Sequence, residues 1–130
     1  MGKNWVVKGC SLSLSKGTGE KKIADSSKPM SDVFAGPKNN PKEVYAGTIT
    51  IEVKNFTSPI VTNGDGKGSG TITGSSVNKA DGKNIVLEGD SCTISISGTA
   101  FYSQQDPKHP VTDSVTVKIE DAGQSEVSSN

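Results

Sequence analysis

Hydrophobic positions along this chain alternate with polar ones in short runs. Nowhere do they recur at the three- and four-residue spacing of an amphipathic helix. In residues 5–15, Cys10, Leu12 and Leu14 alternate with Ser11, Ser13 and Ser15, the period-two signature of a strand with one buried and one wet face. Residues 46–53 repeat the pattern, with Ile49, Ile51 and Val53 on one face and Thr48, Thr50 and Glu52 on the other. So do residues 91–97, through Cys92, Ile94 and Ile96, and residues 114–120, through Val115, Val117 and Ile119. Shorter runs at 71–73 and 84–88 complete the set.

Turn signals separate these runs. Residues 16–19 end the first, and Asp81-Gly82 stands before the 84–88 run. In residues 63–68, Asn-Gly-Asp-Gly-Lys-Gly, glycine recurs at alternate positions and predicts a tight turn. The reading is an all-β chain of six or seven short strands rich in Val, Ile and Thr, with no helix. Residues 20–44 carry Pro29, Pro37 and Pro41 and few apolar side chains, so they read as an irregular segment, long for a connection, that holds one short strand or serves a function. Residues 103–110 read as a polar loop, and residues 122–130 as a polar tail that frays.

Composition narrows the function classes. At 130 residues the chain has the length of one domain, residues 1–130. Its hydrophobic fraction of 31% leaves only a thin core. Fourteen basic residues balance fourteen acidic ones and no basic run is longer than Lys21-Lys22, so no footprint for nucleic acid or an anionic membrane is present. No apolar run reaches the roughly 18–20 residues that span a bilayer, and the N-terminus lacks the apolar segment of a secretory signal. The expectation is a protein assembled in the cytoplasm, without a membrane anchor.

Chemistry-bearing residues are few. His109 is the single histidine, and no G-x-S-x-G elbow accompanies it, so the sequence predicts no catalytic centre. Residues 66–70 are glycine-rich but match no phosphate-binding spacing, and the Asn63–Gly66 run lacks the further ligands of a calcium loop. Cys10, Cys92 and His109 are the only soft or borderline metal ligands. Both cysteines fall on faces assigned to the core, where each also reads as a small buried hydrophobe.

Two stretches carry a family resemblance. Residues 5–17, W-V-V-K-G-C-S-L-S-L-S-K-G, are similar to the opening of PAAR-like proteins. Residues 70–90, with T-I-T, S-V-N, A-D-G-K and L-E-G-D, resemble the core of the same family, in which a strand reaches a G-K turn and closes on G-D. The resemblance implies a small, cone-shaped β-prism of short strands in a pseudo-threefold arrangement; a β-sandwich is the alternative. It implies a structural tip that caps and sharpens the trimeric VgrG-type spike of type VI secretion and related contractile injection systems. One copy would sit on each trimer, dock effectors, and leave the cell with the spike. An adhesin- or carbohydrate-binding sandwich and a phage-tail accessory protein are the other readings. The family often holds zinc near its apex, which makes Cys10, Cys92 and His109 the metal candidates here. The chain departs from the pattern in having one histidine, and in Leu14 where relatives of this opening often show cysteine.

Overall fold

The computed structural model describes residues 2–101 and 108–130, and the protein is all-β. Six strands form one antiparallel sheet: β2 (Ser11–Leu14), β3 (Thr18–Ile23), β6 (Thr48–Thr57), β7 (Gly66–Thr73), β10 (Ser91–Ala100) and β11 (His109–Asp121). Six two-residue strands pair among themselves: β1 (Lys3–Asn4) with β12 (Ser128–Ser129), β4 (Phe34–Ala35) with β5 (Lys42–Glu43), and β8 (Lys79–Ala80) with β9 (Lys83–Asn84). The large sheet has the order β2-β11-β10-β7-β6-β3. Its two edge strands are successive in the chain, so it curls into a barrel closed everywhere except along one seam.

Alternation fills that barrel. Ile49, Ile51 and Val53 of β6, Ile94 and Ile96 of β10, and Val115, Val117 and Ile119 of β11 point inward around Phe56 and Ile72. Each such side chain contributes about 1.5–3 kcal/mol when taken fully out of water. The turn expected at residues 63–68 is confined to its start, where Gly64 takes φ 68°, and the later alternate glycines belong to the barrel packing. Gly66, Gly68 and Gly70 lie within β7. A Cβ on Gly66 would stand 2.8 Å from Ile96 Cγ2, and one on Gly70 2.8 Å from Ile94 Cγ1. The small residues of β7 make room for the large ones of β10.

A second organisation closes one end of the barrel. Three tripeptides at residues 5–7, 44–46 and 85–87 pair cyclically through the bridges Trp5–Leu87, Val7–Val44 and Ala46–Ile85. Their middle residues form a closed ring of backbone hydrogen bonds. Val6 N donates to Val86 O (2.9 Å), Val86 N to Tyr45 O (3.0 Å), and Tyr45 N to Val6 O (2.9 Å). A second set repeats the relation: Lys8 N to Glu43 O, Gly47 N to Asn84 O, and Glu88 N to Asn4 O, at 2.8–2.9 Å. Each tripeptide also receives an arm, through Trp5 N to Val127 O, Val44 N to Val33 O and Ile85 N to Asn78 O. Each follows a two-residue strand that begins with lysine, namely Lys3, Lys42 or Lys83. The backbone is therefore pseudo-threefold. Val6, Tyr45 and Val86 seal the barrel core, while Val7, Val44 and Ile85 join Ala35 and Ala80 in a second, smaller core.

Several sequence expectations change. Residues 5–15 are not one strand, because Trp5 and Val7 belong to the ring and a turn at Lys8-Gly9 precedes β2. Gly9 takes φ 97° there, a conformation that favours glycine. Residues 20–44 hold most of β3 and all of β4 and β5. The tail is ordered by Gln124, whose Nε2 donates to Trp5 O and Val127 O, both at 2.8 Å. Its Oε1 accepts from Glu126 N and Val127 N. His109 begins β11 instead of lying in a loop.

Candidate interaction surface

The end of the barrel opposite the ring is closed by side chains. Asp113 faces Ile96 across the β10–β11 ladder, and its side chain is only 4% exposed. It accepts from Lys16 Nζ at 2.6 Å and from Ser58 Oγ at 2.8 Å. Ser58 Oγ in turn accepts from Ile60 N and Val61 N. One carboxylate thus ties the turn at 15–17, the loop after β6 and strand β11 together. The bonded Lys16 ammonium holds the Asp113 carboxyl below the usual carboxylate range, and Ser58 adds to the effect. Nearby, Asp65 accepts from Thr99 N at 2.9 Å and from the Thr99 hydroxyl, which lowers its pKa. Ile60 and Phe101 stand exposed beside this network.

The outer wall is hydroxyl-rich. Thr48 pairs with Thr73 and Thr93 with Thr116, their Oγ1 atoms 3.2 and 3.3 Å apart. Outside and inside differ by one residue of register, so the alternation that buries Ile also produces this polar sleeve.

The metal candidates are not brought together. Cys92 lies opposite Val117 and His109 opposite Ala100, eight positions further along the same ladder, or roughly 27 Å at strand spacing. Cys10 precedes β2, whose Ser11 pairs with Asp121. Both thiols are free and half-buried against the main core. Burial pushes Cys10 up to about 11 and also raises Cys92, which disfavours the thiolate a metal needs. Among the described residues no group of three histidine, cysteine or acidic side chains is placed to hold a metal ion. As placed among the described residues, Cys10, Cys92 and His109 do not fit a zinc site.

The G-K…G-D stretch acts structurally. Gly82 (φ 75°) follows Asp81 in the β8–β9 turn. Asp90 accepts from Leu87 N at 2.9 Å and from Ser75 Oγ at 2.6 Å, fixing one corner of the ring. Sequence reasoning missed Asp113 and Gln124, whose partners lie far away in the chain. It also missed the recurrence K-N-W-V-V-K-G, K-E-V-Y-A-G and K-N-I-V-L-E-G, which marks the three tripeptides. Of the expected polar loop, residues 103–107 lie outside the described residues. No helix among the described residues is long and apolar enough to cross a membrane. The chain matches no family model, no curated protein sequence and no solved structure.

Proposed function

We propose that this chain is a PAAR-like spike-tip protein that caps the blunt end of a trimeric VgrG-type spike of a contractile injection system. The observation that carries the reading is the cyclic ring of Val6, Tyr45 and Val86. The end of a homotrimer presents three identical surfaces about one axis. A single chain meets all three only if its own surface repeats at about 120°, and a threefold backbone supplies that repetition. Capping also asks for shape and rigidity rather than catalysis, in keeping with cores of branched side chains and clamped hairpins. Assembly would take place in the cytoplasm, and the protein would leave with the spike. Effectors docked on it would leave by the same route.

Native mass spectrometry of the chain mixed with a trimeric VgrG-type spike tests the reading. It predicts a complex of one chain per trimer at excess cap. Three chains per trimer, or no complex, would overturn it.

A further inference from the structure

The barrel lacks one ladder, and we propose that this seam, between β2 and β3, accepts an extended segment of a partner protein as an added strand. The segment selected carries apolar, acidic and apolar side chains in turn on its inward face. The other two hairpins of the pseudo-threefold barrel are laddered along their length: Thr48–Thr73 to Phe56–Gly66, and Ser91–Lys118 to Ala100–His109. Between β2 and β3 no ladder forms.

Register shows which backbone groups are left there. Ser15 N bonds Thr116 O, and Ser13 lies opposite Lys118, so alternate residues Leu12 and Leu14 turn their amides and carbonyls toward the seam. On the other edge Ala24 N bonds Thr50 O and Lys22 lies opposite Glu52, which leaves Lys21 and Ile23 facing the seam. Among the described residues these four have no backbone partner across it. The seam widens into a groove of about 470 Å³, lined by Cys10, Leu12, Lys21, Lys22, Ile23 and Tyr45. A row of unpaired strand groups beside apolar side chains is the surface that strand addition uses.

Lys21 supplies the selectivity. It lies opposite Val53, and Ile23 opposite Ile51, so Lys21 springs from the inward face of an edge strand. A neutral strand closing the seam would bury its ammonium without a partner, which is costly. A segment with a carboxylate at that position neutralises it, and apolar neighbours two residues away cover Leu12 and Ile23. Lys22 points to the other face, where Asp25 and Glu52 approach to 3.8 and 4.0 Å. The partner is therefore an acidic, apolar-flanked extended peptide. Because the seam breaks the threefold repetition, each chain offers one such site.

The test uses the isolated chain, so it stands or falls apart from the spike-capping reading. A blocked heptapeptide with threonine at odd positions and valine, glutamate and valine at even ones is titrated while amide hydrogen exchange is followed. The expected result is saturable slowing, by about tenfold or more, at Leu12 and Leu14, at Lys21 and Ile23, or at both pairs. The peptide with lysine in place of glutamate should bind about tenfold more weakly or worse, and Lys21→Glu should reverse that preference. No saturable protection of either pair at millimolar peptide would overturn the proposal. So would equal binding of the acidic and basic peptides, or an unchanged order of preference in Lys21→Glu.

Discussion

Gly68 shows at the scale of one residue how the barrel is packed. A Cβ there would meet Ser95 O at 2.3 Å, a backbone atom held in the β10 ladder, whereas one on Gly70 would first meet the side chain of Ile94. Gly68→Ala should therefore cost about 3 kcal/mol in urea unfolding and Gly70→Ala about 1 kcal/mol, because only the second neighbour can rotate away. Asp113 makes a second prediction. Its carboxyl pKa is lowered in the folded protein, so its stabilisation is present above the ordinary carboxylate pKa and is lost as pH falls through the folded value. Asp113→Asn should lose about 1–2 kcal/mol at neutral pH. The gap to the unmodified protein should shrink below about pH 4 in acid unfolding. Cys10 works with the opposite sign. Its pKa rises from 9.0 to about 11 on folding, so its contribution is intact below pH 9 and fades between those values. Alkaline unfolding should show a loss of at most about 2.7 kcal/mol there that Cys10→Ala lacks.

At the scale of elements, the alternating strands were legible and the ring was not. Alternation located β2, β6, β10 and β11 because each has one wet and one buried face, and period two survives any topology. At β7 it found only residues 71–73, because the inward residues of 66–70 are glycines and read as a turn, and it missed β3, whose burial does not alternate. It failed again at the two-residue strands, which are too short to show a period. The lysine-led recurrence was visible in principle, but each copy spans only six or seven residues and the copies share little beyond Lys, branched or aromatic residues and Gly. One repeat is also split across the chain ends, with its arm at 124–129 and its tripeptide at 5–7. That split explains why the polar tail reads as frayed while Gln124 bonds Trp5 O and Ser129 Oγ accepts from Trp5 Nε1 at 2.8 Å. Gln124→Ala should cost about 2–3 kcal/mol, since it strips backbone groups at Trp5, Glu126 and Val127 of their partner. Emission of the single tryptophan should shift to the red as the arm loosens. An unchanged spectrum and stability would show that the arm holds without it.

For the whole molecule, two devices with different symmetry share one chain. The ring repeats three times; the barrel repeats three hairpins but leaves one unladdered. The candidate metal residues are scattered along the barrel, so the chemistry expected from the family resemblance is not assembled among the described residues. The pseudo-threefold arrangement of short strands expected from it is present in the backbone pairing. The all-β character was legible because turn and strand signals are local, whereas a metal site requires side chains from distant positions to converge. A threefold cap should sit with its ring on the symmetry axis of the trimer it closes. Electron cryomicroscopy of the chain bound to a trimeric VgrG-type spike, reconstructed without imposed symmetry, measures that directly. The account predicts the Val6–Tyr45–Val86 ring centred on the spike axis, with all three spike subunits in contact; a cap bound off the axis to one subunit would contradict it.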